Sequence, residues 1–331
     1  MSYKIGSFNI ENLGYGALDT KEDKNKERDL RKIAEIIRKE DFDIVAFQEI
    51  KSEGKAFWGP GTSSKQGILF ELGPRWEFWP SKNNNVRENT EFAFVWKKDR
   101  IELIEGNNPC VTEYRKRGDS IELVRNPIMA RFSPLHLPKL EIRLIDIHLY
   151  FGKNTLNDIE RRKKEFQTMI REILNKYDDK RYGDNKQAFT FALGDYNLNL
   201  PVVIPDNRDT SALIKNEIEI DNKVIKTVQY DPTTIKSKEL NGSTSNKEVS
   251  VEVENVKIRK ILDDAKTIMR MNENYWSNNY DHFSYNSAYE NKANITDQRI
   301  NVIAKYCGND FISYQEKVSD HVPIALTIDL N

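Results

Sequence analysis

Several predicted strands of this 331-residue chain end in carboxylate, amide or imidazole side chains. Any one of these residues, taken alone, is more simply explained as a turn former or a helix cap. Polar groups at strand ends of a layered α/β fold gather in one crevice, however, so a set of them indicates a shared site. Three of the four histidines, His148, His282 and His321, belong to this set or lie beside it. The set comprises Asn9, Glu49, His148, Asp195, Asn197, Asp281, Asp320 and His321.

The residue types limit the chemistry of such a site. Carboxylate and amide oxygens without a Cys/His cluster suit a hard cation, and Mg²⁺ is held in this way by one or two carboxylates and several waters. Histidines and an asparagine beside that ion suit charge that develops on phosphoryl oxygens. The chain has no Gly-x-Ser-x-Gly elbow, no P-loop and no convincing Gly-x-Gly-x-x-Gly run. Serine hydrolases, NTP-driven enzymes and dinucleotide oxidoreductases are therefore disfavoured.

The elements that must position these residues alternate from the start of the chain. Residues 3–10 predict a strand, apolar residues at helical spacing from Leu30 to Ile37 predict an amphipathic helix, and the apolar run 43–49 predicts a buried strand. This order indicates a layered α/β fold. A second amphipathic helix is predicted over 157–177. Further strands are predicted at 91–97, 128–132, 141–149, 188–193, 281–285, 300–306 and 323–328.

Composition and charge bound the class of protein. With 38% hydrophobic and 31% charged residues, the chain can bury a core and solvate a surface. Lys and Arg number 51 and Asp and Glu 52, for a net charge of −1, so any affinity for nucleic acid must come from a local patch. The spacing of Cys110 and Cys307 is no zinc motif, and two residues make no disulfide scaffold, which favours reduced thiols.

The organisation of the chain is predicted to be simple. We see no signal sequence and no apolar run of about 18 residues, which predicts a cytoplasmic protein with no membrane partner. No linker divides residues 1–331, so we expect a single domain with an insertion at about 201–274. The basic run 161–164 is interpreted as a solvated helix face, with a phosphate-binding patch as the alternative.

Six short motifs resemble, in order, those of the endonuclease/exonuclease/phosphatase superfamily, to which DNase I belongs. Each motif alone is a weak signal, but the ordered series spans residues 8 to 324 and is specific. The motifs are FNIENLG (8–14), DIVAFQE (43–49), IDIHL (145–149), LGDYNLN (193–199), YDHF (280–283) and SDHVPI (319–324). The resemblance implies an α/β fold: a four-layer α/β/β/α sandwich of two packed mixed β-sheets.

The resemblance also implies roles for the residues that match these motifs. Asn9 and Glu49 would be metal-site residues with Asp320 close by, and the metal would be Mg²⁺ with Mn²⁺ as a substitute. Asp195 would orient or deprotonate the attacking water, and Asn197 would help hold the phosphate and the nucleophile. His148 and His321 would donate to non-bridging oxygens or protonate the leaving group. Asp281 would hold His321 in its working tautomer.

The choice of branch within the superfamily rests on fewer residues. VRNPIMARF (124–132) resembles the DNase I-like segment in which an arginine before x-Pro contacts a phosphate, here Arg125. A nuclease acting on DNA, or on RNA, is therefore the favoured hypothesis, with no obligate protein partner evident. The flanks of GDYN do not match those of inositol phosphatases or AP endonucleases. A phosphomonoesterase, a sphingomyelinase-like lipid phosphodiesterase and a catalytically silent binding module are the alternatives.

Overall fold

The computed structural model of the protein describes most of residues 1–198, residues 280–330 and four short strands between these two regions. The described residues are 1–13, 28–50, 57, 67–80, 91–104, 123–153, 156–182, 187–198, 217–220, 223–228, 248–253, 256–261 and 280–330. Every structural statement below concerns these residues. Cys110 lies outside them, whereas Cys307 carries a free thiol.

The strands and helices follow one another along the whole described chain. The strands are β1 Ser2–Leu13, β2 Ile44–Ile50, β3 Trp76–Pro80, β4 Glu91–Lys97, β5 Ile101–Leu103, β6 Ile128–Pro134, β7 Leu140–His148, β8 Gln187–Asp195, β9 Glu217–Ile220, β10 Lys223–Val228, β11 Glu248–Val253, β12 Val256–Ile261, β13 Asp281–Asn286, β14 Asn294–Arg299 and β15 Ile324–Asp329. The α-helices are α1 Leu30–Lys39, α2 Ile68–Leu72, α3 Leu156–Thr168, α4 Asn175–Asp179, α5 Val302–Tyr306 and α6 Phe311–Lys317. A π-helical segment, Met169–Leu174, joins α3 to α4, and Ser287–Asn291 is a 3₁₀ turn.

Two mixed β-sheets form the centre of the fold. The first has the order β14-β15-β1-β2-β4-β3, and the second has the order β5-β6-β7-β8-β13-β10-β9. Among the described strand pairs, only β1–β2 and β7–β8 are parallel, and each pair lies near the middle of its sheet. Strand β7 is buried along its whole length, as expected for a central strand with covered faces.

Three apolar clusters separate the layers. Ile44 and Phe94 of the first sheet share one cluster with Ile142 and Phe191 of the second, so the two sheets pack face to face. Helices α1, α2, α5 and α6 cover the outer face of the first sheet. Helix α3 and the π-helical segment cover the outer face of the second, where Phe166 packs. The predicted four-layer α/β/β/α sandwich is thereby confirmed.

Most of the predicted elements are confirmed, with one clear error. The predicted helix 157–177 spans α3, the π-helical segment and α4. The predicted strand 300–306 is wrong, because Val302–Tyr306 is helix α5. The Asn301 side chain accepts a hydrogen bond from the Ala304 backbone N–H and caps the first turn. Strands β3, β5, β9 to β12 and β14 were not predicted.

Within the predicted insertion, 201–274, four strands are described. Strands β9 and β10 extend the second sheet beyond β13, and β11 pairs with β12 as a separate two-stranded sheet. The division into one domain with an insertion stays a prediction. Within the described part of the chain, no helix has the length and apolar composition to cross a bilayer. The cytoplasmic location also stays a prediction.

Candidate active site

Strand register places three of the predicted residues side by side. His148, the last residue of β7, lies opposite Asp195, the last residue of β8. Asp281, the first residue of the antiparallel strand β13, lies opposite Asp195 on the other side. Directly opposed residues on neighbouring strands lie about 4.5–5.5 Å apart, so this row needs no loop to bring it together.

A close approach of β7 and β8 sets the spacing of this row. Gly194 has φ +137°, a conformation that L side chains rarely adopt. A Cβ atom placed there would lie 2.0 Å from the carbonyl oxygen of Ile147. The glycine of the GDYN motif is therefore required by packing, immediately beside Asp195.

The first sheet contributes its residues through an irregularity at the ends of β1 and β2. The β1–β2 register shifts after Asn9, and the β2–β4 register shifts after Phe47, as in a β-bulge. Glu49 adopts φ +62°, and Glu11 and Asn12 also have positive φ. Left-handed backbone at non-glycine residues is uncommon and clusters at functional sites. Here it turns Glu49 toward the second sheet.

Asp195 contacts residues from both sheets. Its Oδ2 lies 3.0 Å from the Asn9 Nδ2, which also donates to Glu49 Oε1 at 3.0 Å. The same Oδ2 lies 3.6 Å from His148 Nε2 and 3.7 Å from His321 Nε2. Asn9, His148, Asp195 and His321 are all buried. One carboxylate oxygen is thus faced by an amide and two imidazoles.

His321 is held from three directions. Its Nδ1 lies 2.8 Å from Asp281 Oδ2, which fixes the ring orientation and directs Nε2 toward Asp195. Its backbone N–H donates to Ser319 Oγ, which in turn donates to the Asn9 backbone carbonyl at 2.8 Å. Asp320 lies beside it, with Oδ1 3.7 Å from His321 Nε2. The SDH motif is in this way joined directly to the end of β1.

Asn197 and Arg125 converge on one backbone carbonyl. Asn197 Nδ2 donates to the carbonyl oxygen of Leu149 at 2.8 Å, and Arg125 Nη1 donates to the same oxygen at 2.9 Å. The Asn197 backbone N–H donates to Asp195 Oδ1 at 2.8 Å. Arg125 also lies 3.5 Å from the carbonyl oxygen of His148. The structure therefore brings all nine predicted site residues into one connected region.

The pKa values of the two histidines are shifted in opposite directions. Burial lowers the pKa of His148 well below its usual value, and the nearby Arg125 and His321 lower it further. Burial opposes protonation of His321 as well, but the carboxylates of Asp281, Asp320 and Asp195 raise the pKa of His321 well above its usual value. The surroundings of His148 therefore favour the neutral imidazole, whereas those of His321 favour the imidazolium.

The carboxylates are perturbed toward their neutral forms. Burial, with contributions from the neighbouring Asp281 and Glu49, raises the pKa of Asp195 to about 7, against the opposing effect of His321. Burial likewise raises the pKa of Asp320 to about 6, to which Glu11 and Glu49 contribute. Carboxylates crowded in this way release their protons more readily when a cation binds between them.

The donor set fits a divalent cation. Ligand atoms of Glu49, His148 and Asp195 lie within 4.8 Å of one another. Asp320 Oδ1 and His148 Nδ1 are buried and make no hydrogen bond within the described part of the chain. Oxygen donors dominate the group, as hard cations such as Mg²⁺ and Mn²⁺ prefer.

Several residues that matter to the site were not predicted. Arg28 is buried and pairs with Glu11 at 2.7 Å, while its Nη1 donates to the Gln315 carbonyl in α6. The basic run 161–164 is not a uniformly solvated face, because Arg162 is buried and donates to the Asn197 carbonyl. His282 is buried beneath the site, with Nε2 2.8 Å from the Leu198 carbonyl oxygen.

Comparisons with solved structures bear on the fold. No protein-family model matches the sequence, and no curated protein sequence matches it. A humanized TDP2 from D. rerio matches with a TM-score of 0.52 at 14% identity, covering 99% of each chain. ANGEL2, a 2′,3′-cyclic phosphatase, matches with a TM-score of 0.53 at 13% identity, covering 99% of this chain and 96% of the other.

A third structure carries the name of the superfamily itself. An endonuclease/exonuclease/phosphatase family protein from Bacteroides thetaiotaomicron matches with a TM-score of 0.51 at 11% identity, covering 100% of this chain and 98% of the other. Identities this low speak to architecture and not to substrate. Two packed mixed sheets, flanking helices and six motifs in order agree: the chain has the endonuclease/exonuclease/phosphatase fold.

Proposed function

We propose that this protein is a Mg²⁺-dependent phosphodiester hydrolase, and specifically a DNase I-like nuclease. The observation that carries the proposal is the environment of Asp195, whose Oδ2 lies 3.6 Å from His148 Nε2 and 3.7 Å from His321 Nε2. The surroundings of His148 favour its neutral form, and those of His321 favour its protonated form. Two imidazoles in different protonation states on either side of one carboxylate provide a general base, a proton donor and an anchor for phosphoryl oxygens.

The roles of the individual residues follow from their contacts. Asp195 accepts a proton from the attacking water, because its raised pKa makes it a stronger base than an exposed aspartate. Asn197 fixes the rotamer of Asp195 through its backbone N–H. His321, kept protonated by Asp281, stabilises the charged phosphoryl oxygens or protonates the leaving oxygen.

The cation site would be formed by Glu49 and Asn9, with Asp320 beside them and the carboxylate of Asp195 facing it from the second sheet. A divalent cation bound there would polarise the phosphoryl group and neutralise its developing charge. The hydrogen bond from Asn12 N–H to Glu49 Oε2, at 3.1 Å, holds the second carboxylate oxygen and orients the first. Mn²⁺ meets the same donor requirements and should replace Mg²⁺.

A nucleic-acid substrate is favoured by Arg125. Its Nη1 lies 3.5 Å from the carbonyl oxygen of His148, and the residue is partly exposed, so it can contact a phosphate next to the reacting one. Arginine presents a planar set of donors that matches phosphate geometry. DNA is our first choice and RNA the second. A phosphomonoester or lipid phosphodiester remains the alternative, and ANGEL2 shows that the fold also accommodates a cyclic phosphate.

A substrate panel tests the proposal. Purified protein is incubated with supercoiled plasmid, linear DNA, RNA, a 2′,3′-cyclic nucleotide, inositol phosphates and sphingomyelin, each with Mg²⁺, Mn²⁺ or chelator. We expect nicking of the plasmid with either metal and none with chelator. Asp195→Ala should lower the rate by about 10²–10⁴-fold.

A variant far from the site serves as the control, and the substrate panel has outcomes that contradict the proposal. Asp99→Ala removes a carboxylate that is 43% exposed and pairs only with Arg75 among the contacts described, so it should leave the rate unchanged. Cleavage of phosphomonoesters or lipids alone would replace the nuclease assignment with the alternative. Absence of hydrolysis across the panel would leave the binding module as the better hypothesis.

A further inference from the structure

Helix α3 buries two residues of opposite charge directly behind the site. Arg162 is 2% exposed and Glu165 is 1% exposed. Residues three apart on a helix share a face, so both point to the same side of α3. Burying a charged group is costly unless it is paired or hydrogen-bonded. Both residues hydrogen-bond to backbone groups of the segments that carry the site, and Glu165 Oε1 also lies 3.6 Å from Arg161 Nε on the same helix.

Arg162 holds the loop that follows Asp195. Its Nη1 donates to the backbone carbonyl of Asn197 at 2.6 Å in a buried location. Asn197 has φ +50°. Its backbone N–H donates a hydrogen bond to Asp195 Oδ1, and its side-chain Nδ2 donates one to the Leu149 carbonyl oxygen. The Arg162 guanidinium also lies 5.3 Å from the centre of the Phe151 ring, which restricts its orientation. Arg162 thus supplies the third hydrogen bond that fixes Asn197.

Glu165 joins two other segments. Its Oε1 accepts from the backbone N–H of Val124 at 3.1 Å, and its Oε2 accepts from the backbone N–H of Tyr150 at 2.9 Å. Val124 immediately precedes Arg125, and Tyr150 follows the Leu149 carbonyl to which Arg125 donates. One carboxylate therefore sets the separation between the Arg125 segment and the end of β7.

We propose that Arg162 and Glu165 are positioning residues on helix α3. Arg162 fixes Asn197 and, through it, Asp195, whereas Glu165 fixes the segment that carries Arg125. The inference rests on the proposed phosphodiesterase function. It assigns a separate role to each of the two residues. Arg162 acts on the groups that align the attacking water, and Glu165 acts on the arginine that binds the substrate phosphate.

The two residues should therefore affect different kinetic constants. Arg162→Met keeps the length of the side chain but removes every donor. We expect kcat to fall about 10–100-fold while KM changes less than about 3-fold, since small displacements of aligned groups reduce the rate without weakening ground-state binding. Arg162→Lys keeps the charge and one donor and should recover part of the lost kcat. Lys164→Met, an exposed cation on the same helix, is the matched control.

Glu165→Gln tests the second half of the inference. Its amide has only one oxygen, so one of the two backbone N–H groups loses its acceptor. We expect KM to rise about 5–10-fold with a smaller change in kcat, measured on the phosphodiester that the wild-type protein cleaves fastest. Circular dichroism and thermal melting of each variant establish that it is folded, and Arg162→Lys supplies the measurement should Arg162→Met not fold.

The outcomes separate this inference from the function on which it rests. An inactive wild-type protein overturns the proposed function and this inference together. An active wild-type protein with unchanged kcat in Arg162→Met or in Arg162→Lys overturns the inference alone. An equal loss of kcat in Lys164→Met, or identical kinetic effects of the Arg162 and Glu165 variants, would show that α3 acts only as a scaffold.

Discussion

His148 and His321 occupy matching positions on either side of Asp195, yet their surroundings differ. Three carboxylates surround His321, whereas His148 is buried near the cation of Arg125. The same residue type can therefore serve as a neutral hydrogen-bonding group on one side and as a charged donor on the other. Environments that push two pKa values apart are how enzymes assign acid and base roles.

We predict that NMR titration of the metal-free protein will resolve this difference. Only four histidines are present, so their imidazole signals can be assigned by single substitutions. His321 should titrate above the usual value of 6.5 and His148 below it. Asp281→Asn should lower the pKa of His321 and reduce turnover by about 10²–10⁴-fold.

The same substitution has a defined effect on stability. A histidine whose pKa is raised in the folded state stabilises the protein fully below its unfolded pKa and loses this effect as the pH rises through the folded pKa. Asp281→Asn should therefore lower Tm more at pH 6 than at pH 10. A Tm difference that is the same at both pH values, or titration of both histidines near 6.5, would contradict this account of the pair.

The positions of the candidate site residues could be predicted from the sequence, because residue type and strand ends are local properties. Arg162 was missed because the charges on both sides of it suggested a solvated face. A signal was present nonetheless: Arg162 lies four residues before Phe166 and seven before Met169, on the apolar face of the helix. The positive φ of Glu49 could not be predicted, since it depends on how β2 leaves the sheet.

At the scale of elements, a polar contact joins the two sheets one layer beneath the site. Gln48 Nε2 in β2 donates to Asp146 Oδ1 in β7 at 2.6 Å and lies 3.2 Å from Ser7 Oγ in β1. All three residues are buried. Asp146 Oδ2 has no partner among the described residues, and burial raises the pKa of Asp146 well above its usual value. Burial between otherwise apolar sheet faces therefore favours the neutral form of this carboxyl group.

We predict that Asp146→Asn stabilises the protein above about pH 5. Because the unfolded chain releases the Asp146 proton near pH 3.8 whereas the folded protein retains it, folding stability falls as the pH rises above that value. Asparagine keeps an acceptor for Gln48 and does not titrate. Tm should rise by about 2 °C at pH 8, as about 1 kcal/mol gives in a large domain.

The pH dependence separates this effect from a general improvement in packing. Near pH 4 the Tm values of Asp146→Asn and the wild-type protein should converge, since both side chains are then neutral. Asp99→Asn, at a partly exposed carboxylate, should show no comparable gain at pH 8. A lower Tm for Asp146→Asn at pH 8 would mean that Asp146 is ionised and stabilised in the folded protein.

The elements themselves were predictable where their pattern was strong. The β-branched and aromatic residues of β2, β4, β7 and β8 favour strands, and these strands are largely buried. The five-residue helix α5 was mistaken for a strand because a short apolar run carries no period of its own, and the Asn301 cap was the only local sign of a helix. Strand β14, NITDQR, is largely polar because it lies at the edge of its sheet.

At the scale of the whole molecule, the candidate cation site is divided between the two sheets. Glu49 and Asn9 come from the first sheet, and Asp195 comes from the second. A cation held by both would link the sheets and relieve repulsion between their carboxylates. Metal binding should therefore stabilise the entire fold and not only the loops of the site.

We predict that Mn²⁺ or Mg²⁺ raises the Tm of the wild-type protein. A cation at 100 times its Kd contributes about 2.7 kcal/mol to folding stability. The gain should be larger at pH 8 than at pH 6, because binding must displace a proton from Asp195, whose pKa is about 7. Differential scanning calorimetry with and without chelator measures both effects.

Two variants test whether the cation lies between Glu49 and Asp195. Glu49→Gln and Asp195→Asn should each reduce the metal-dependent rise in Tm, whereas Asp99→Asn should retain it. Asp195→Asn should also melt at a higher temperature than the wild-type protein without metal at pH 8, since it removes a crowded buried carboxylate. A metal-dependent rise that persists in both Glu49→Gln and Asp195→Asn would place the cation elsewhere.

The architecture as a whole could be predicted because six motifs in fixed order constrain it strongly. The order of strands within each sheet could not, since pairing of β1 with β15 joins opposite ends of the chain. Nor did the sequence indicate that β9 and β10 would extend the second sheet. Such pairings depend on contacts between residues far apart in sequence, which local patterns do not encode.

Gly194 carries a consequence for mutagenesis of the GDYN motif. Any side chain there collides with the Ile147 carbonyl, so β7 and β8 must separate before the chemistry at Asp195 is affected at all. An inactive variant at this position would report failed assembly of two strands, whatever the role of its neighbours in turnover. Substitutions at positions 195 and 197 can therefore report on turnover, whereas substitutions at position 194 report only on whether β7 and β8 can pair.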